Sequence, residues 1–111
     1  MTETQSQYAS AEELTTHTIG EEDLPLPSGK LVRVRGLSRG EVFAMRKSQQ
    51  DGGIKDEAAW ERRMVSLALV QPKLTEKQVG SWQDGPAGGD LEKLTEKIQE
   101  LSGLGEGADK S

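Results

Sequence analysis

The chain has 111 residues, a net charge of −5, 30% charged side chains and no cysteine. One small domain is the expectation at this length, and disulfides, thiolate zinc sites and thiol catalysis are excluded. Only 32% of residues are apolar, with two Trp, one Tyr and one Phe, so the compact part is near the size where a single core becomes marginal and leans on a partner or on copies of itself.

The chain starts MTETQSQYASAEEL, with no basic start and no apolar run, so no secretory signal is expected. No stretch of about 18 apolar residues is present, so no membrane span is expected either. Residues 1–23 hold Glu3, Glu12, Glu13, Glu21, Glu22 and Asp23, with no Lys or Arg. Such a composition predicts a largely disordered acidic arm. A short strand over residues 14–19 is a weaker alternative.

Val32-Arg33-Val34-Arg35 alternates apolar and charged residues, the pattern of a strand with one face in a core. Pro27-Ser28-Gly29 supplies turn chemistry. A hairpin pairing roughly residues 22–26 with 30–35 follows. Pro25 and Pro27 cannot donate to a ladder, which puts the first strand at an edge.

Ser38-Arg39-Gly40-Glu41 is a capping box, with Leu37 and Val42 placed for a hydrophobic staple. A helix is expected from residue 39 to about 50, with Val42, Phe43, Met45 and Arg46 crowding one side. Asp51-Gly52-Gly53 ends it.

The stretch 56–70, DEAAWERRMVSLALV, is the most apolar in the chain. Trp60, Met64, Leu67 and Ala68 share one helical face, and Leu67 to Val70 are apolar all round, so a central helix ending before Pro72 is expected. Trp60, Met64 and Leu67 are predicted to be buried with Val34, Phe43 and members of the set Leu91, Leu94 and Ile98.

Thr75-Glu76-Lys77-Gln78 repeats the capping device and starts a short helix to about Trp82. From Asp90 a last helix carries Leu91, Leu94, Ile98 and Leu101 on one stripe. Gly103 is placed to end it in the left-handed conformation, with Leu104 folding back on Ile98. Residues 105–111 are expected to be a loose tail. The whole reads as a mainly α fold of about four helices with an N-terminal β-hairpin, divided into an arm (1–21), a hairpin-plus-helix domain (22–104) and a tail.

Chemical motifs are sparse. His17, the only histidine, lies in the arm, where a solvated side chain is favoured over a catalytic or metal role. Gly103-x-Gly105-x-Gly107 follows a helix and opens none, unlike a dinucleotide loop, and Gly29-Lys30 lacks the upstream glycine of a P-loop. Carboxylates at Glu92 and Glu96 alternate with Lys93 and Lys97, as on a solvated helix face. No catalytic residue, metal ligand or cofactor is assigned.

Charge is more informative. Lys30, Arg33, Arg35, Arg39, Arg46 and Lys47 face only Glu41 within residues 30–47. Without interleaved aromatic platforms, and in an acidic chain, this basic patch favours a protein partner or the chain's own arm over nucleic acid.

Three segments, LVRVRGLSRGEVFAMRK from Leu31, ERRMVSLALVQPKLTEKQVGSW from Glu61 and IQELSGLGEGADK from Ile98, occur in an order and at separations that together resemble the small tail assembly chaperones of long-tailed bacteriophages. The likeness covers roughly residues 24–110. It implies a non-enzyme that binds the tape-measure protein, keeps it soluble and helps tail-tube subunits polymerise around it. It further implies action in the host cytoplasm, absence from the mature virion, and a longer form of the same chain made by ribosomal frameshifting. Homo-oligomers and contact with the tail-tube protein are further expectations. Within this reading the candidate partner-binding residues are Trp82, Leu91, Leu94, Ile98 and Leu101. A structural neck or tail subunit and a small nucleic-acid-binding regulator are the alternatives.

Overall fold

The computed structural model describes residues 8–15, 19–86 and 88–103. Its elements in chain order are α1 (Ala11–Thr15), β1 (Glu21–Pro25), β2 (Leu31–Arg35), α2 (Arg39–Gln50), α3 (Glu57–Ala68), β3 (Leu69–Gln71), α4 (Glu76–Gln83) and α5 (Gly88–Leu101). It is a mainly helical small domain with an N-terminal antiparallel hairpin.

The hairpin pairs Glu21 with Arg35 through Pro25 with Leu31. At its tip the Leu26 amide donates to the Lys30 carbonyl at 2.8 Å, and Gly29 takes a φ of 94°. As the prolines require, β1 lies at an edge of the sheet, whose order is β1-β2-β3. Leu24, Val32 and Val34 face the core.

Both expected capping boxes form. Ser38 and Glu41 exchange bonds of 2.9 and 3.0 Å at the start of α2, and Thr75 and Gln78 do so at 2.8 and 3.1 Å at the start of α4. Asp56 caps α3 by accepting from the Ala59 amide at 2.8 Å. Each cap satisfies amides that have no partner in the first helical turn.

Helix α3 packs against α2, α4 and α5, as a central helix would, and α5 packs against β2. The face it buries is turned from the expected one. Met64, Val65 and Ala68 are buried, while Trp60 and Leu67 are only half-buried. In α2 the buried pair is Val42 and Met45. The expected burial of Phe43 is corrected, because it is 53% exposed. Val42 and Met45, three apart, already define the inward face. Phe43 lies to its side, with the Arg39 guanidinium 5.0 Å from its ring centroid.

A second correction concerns the end of α3. The helix stops at Ala68, and the next three residues form a strand that pairs antiparallel with β2, opposing Val34 to Leu69 and Arg33 to Gln71. Leu69 has φ −71° and ψ 123°, extended values, and is fully buried. The pairing gives β2 a partner on its second side and inserts Leu69 into the core, which an apolar run by itself does not distinguish from another helical turn.

The arm also differs from expectation. Glu22 and Asp23 lie in the first strand as the expected hairpin has them, but the strand starts earlier, at Glu21, and the ladder is extended by the Gly36 amide donating to the Gly20 carbonyl at 3.0 Å. Upstream, Ala11–Thr15 is a helical turn rather than a strand or coil. Ser10 and Glu13 form its capping box, with bonds of 2.8 and 3.0 Å. Ile54, on which no expectation was placed, is buried between α2 and α3 in the chain. At the end of α5, Gly103 adopts the anticipated positive φ of 74°. Leu104, the glycine-rich segment from residue 105, the rest of the tail and His17 lie outside the described residues.

Candidate functional site

An apolar concavity lies beside the hairpin tip, with a volume of about 390 Å³. Leu26, Lys30, Leu31 and Val32 form its hairpin side, and Leu69, Pro72, Leu74 and Trp82 form the other. Four devices position these residues. The tip turn sets Leu26 and Lys30, pairing of β3 with β2 sets Leu69, and the capping box at Thr75 starts α4, which carries Trp82. The Ser66 hydroxyl donates to the Leu74 carbonyl at 2.9 Å and fixes the connecting segment to α3.

Leu31 is the unusual member. Strand alternation puts it on the same side as Arg33 and Arg35, and it is 64% exposed. An apolar side chain on the polar face of a strand costs solvation without a packing return, and here it borders a groove that is itself apolar. Lys30 is the one charged lining residue. The groove therefore suits an apolar segment, with a cation at one edge. The concavity between α3 and α5, by contrast, is lined by Glu57, Glu61, Arg62, Gln83 and other polar groups.

The tip is anchored to α5. Asp90, buried in the first turn of α5, accepts from the Ser28 amide at 3.0 Å and from the Ser28 hydroxyl at 2.6 Å. A carboxylate there also meets the favourable end of the helix dipole.

The basic patch is divided by internal ion pairs. Arg33 bonds Glu21 and Asp23, each at 2.6 Å, so its acidic partners come from the stretch expected to be a loose arm. Hydrogen bonding to Glu21 and then to Asp23 raises its pKa. Arg35 and Glu41 form a two-pronged pair at 2.9 Å per bond. The Arg35 guanidinium holds the Glu41 carboxyl down to about 2, with the Ser38 amide adding to the effect against partial desolvation. Lys47 pairs with Asp51 at 3.3 Å, and Arg39 covers Phe43. Among the described residues, Lys30, Arg39 and Arg46 of this set form no ion pair. Pairing of Arg33, Arg35 and Lys47 with acids breaks the continuity of the positive surface that a phosphate backbone would need.

Of the candidate partner-binding residues, Trp82 alone lines the groove. Leu91, Leu94 and Ile98 are core residues, the last two fully buried, so the proposed stripe is not a surface. Leu101 is half-buried against Gly36 and Gly20, on another part of the molecule. Leu31, Leu69, Pro72 and Leu74 were missing from the expected set. The one local signal was Leu31, an apolar residue in phase with two arginines.

Among the described residues no group of His, Asp and Glu could hold a metal ion, and no helix is long and apolar enough to cross a membrane. No protein-family model, no curated protein and no solved structure matches the chain.

Proposed function

We propose that this chain is a chaperone-like binding module of phage tail assembly, and that the groove at the hairpin tip holds a short apolar segment of the tape-measure protein. The observation that carries the reading is the groove itself, almost entirely apolar, bordered by the exposed Leu31 and walled by Trp82. A long, aggregation-prone client needs such a surface, because covering its apolar segments removes them from self-association. The motif resemblance names the client. On this reading the chain acts in the host cytoplasm, works beside its longer frameshifted form, meets the tail-tube protein transiently, and is depleted from finished virions.

The test is co-expression of the tape-measure protein with wild type, Leu31→Glu or Trp82→Glu, each variant first shown to be folded by circular dichroism. Wild type is expected to raise the soluble fraction of the client, and Leu31→Glu to lose most of that effect. Because Leu31 is exposed, its substitution leaves the core intact. No rise with wild type sinks the chaperone reading. A rise that both variants match keeps the function and removes the groove from it.

A further inference from the structure

Two adjoining concavities open along α3 and α5, and Glu57, Glu61 and Thr95 line both. The first, of about 420 Å³, has Trp60 and Met64 on its α3 side. The second, of about 700 Å³, extends to Asp84 and Glu92. Together they form one groove that shares no residue with the hairpin-tip groove. Its α3 wall is a single helical face, because Glu57, Trp60, Glu61 and Met64 recur three and four apart. Met64 is buried and Trp60 half-buried. Glu57 and Glu61 lie one turn apart, a like-charge spacing that costs helix stability unless a cation faces it.

No cation of this chain does so. Elsewhere Arg33, Arg35, Lys47, Arg63 and Lys97 each hold a carboxylate. Among the described residues, Glu57, Glu61, Asp84 and Glu92 take part in no ion pair. Arg62 is the one cation lining the groove, and it donates to the Gln83 side-chain carbonyl at 3.0 Å, while the Gln83 amide donates to Glu61 at 2.8 Å. Gln83 thus gives Glu61 a hydrogen bond without cancelling its charge. Among the described residues no three acids are grouped to hold a metal ion, so these carboxylates suit separate cations carried on one extended ligand. The Trp60 indole attracts a guanidinium or ammonium to its face and covers the methylene stem behind it. The chain's own ends are not basic. Residues 1–18 hold no Lys or Arg, and residues 104–111 set Lys110 against Glu106 and Asp109. We infer that the α3–α5 groove docks a basic segment of a partner protein, with an arginine or lysine against Trp60 and further cations toward Glu57, Glu61 and Glu92. The inference is independent of the hairpin-tip groove and of what that groove holds.

The two tryptophans read the test, because Trp60 lines this groove and Trp82 the hairpin tip. Nitrogen-15 chain is titrated with a blocked alanine-based peptide bearing an arginine at every fourth position. The Trp60 indole signal is expected to move to saturation while that of Trp82 stays, and added salt is expected to weaken the binding. Glu57→Gln combined with Glu92→Gln, both at exposed positions, is expected to weaken it about tenfold through the loss of two part-exposed ion pairs. Glu12→Gln combined with Glu96→Gln removes the same charge outside the groove and is expected to change it little. A still Trp60 signal, or movement of Trp82 in its place, overturns the proposal. Equal weakening by the two double variants also overturns it, by reducing the binding to general charge attraction. Spermidine binding as tightly as the peptide does the same, since a small polyamine then suffices. A Trp60 shift on concentrating the chain alone would put a second copy in the groove and likewise overturn it.

Discussion

Asp90 and Ser28, 62 positions apart, are joined by two hydrogen bonds, from the Ser28 amide at 3.0 Å and its hydroxyl at 2.6 Å. The first turn of α5 is thereby tied to the hairpin tip that forms one side of the groove. Replacing Asp90 with Ala removes both bonds from the exposed Ser28, at a cost of about 0.5–1.5 kcal/mol for each. Asp90→Asn retains an acceptor for that amide and is expected to lose less. Urea melts of the two variants check the order, and an Asp90→Ala protein as stable as wild type would show that the tie is incidental.

Gly36 allows the sheet and α5 to meet. A Cβ there would lie 2.5 Å from the Leu101 carbonyl oxygen and 2.7 Å from its carbon. Both are backbone atoms, so the clash cannot be relieved by a rotamer change. Gly36→Ala is expected to cost about 1–3 kcal/mol by overpacking and to loosen the bond between the Leu37 amide and the Ser102 hydroxyl. Thermal denaturation gives the first quantity, and hydrogen exchange at Leu37 the second. Unchanged exchange would mean that α5 tolerates the added methyl.

Burial ranks two leucines that periodicity treats alike. Leu94 is fully buried and Leu67 is half-buried. Leu94→Ala is expected to cost about 2–5 kcal/mol, and Leu67→Ala clearly less, because fewer contacts are lost and the site can be refilled from one side. Denaturant midpoints measured side by side decide it. Equal losses would return Leu67 to the core.

The Arg35–Glu41 pair gives stability a definite pH dependence. Its carboxyl is held at about 2 in the folded chain against an ordinary 4.5. The unfolded chain therefore takes up this proton first on acidification. The pair's contribution is complete above the ordinary value and is lost as pH falls through the window toward the folded value. Glu41→Gln is expected to be less stable than wild type near neutrality and to converge with it at the acid end. Urea midpoints across that window supply the check, and parallel curves would show that the pair contributes nothing net.

Much of this fold is written in short-range chemistry. The capping boxes at Ser38 and Thr75 close within one helical turn, so four residues suffice to read them, and the tip turn and edge prolines act just as locally. The same device at Ser10 was legible too, but an acidic composition obscured it. The innermost face of α3 was not available to local reading, since Val65 rather than Leu67 is chosen by what packs around the helix. Nor was the fate of Leu69 and Val70, because an apolar run suits helix and strand equally until β2 offers an edge. The groove is the clearest case. Sequence alternation put Leu31 on the wrong face for a core residue. Only the pairing of β3 with β2 and the docking of α4 brought Leu69, Leu74 and Trp82 beside it, and contacts between residues far apart in the chain depend on the packing of the whole molecule.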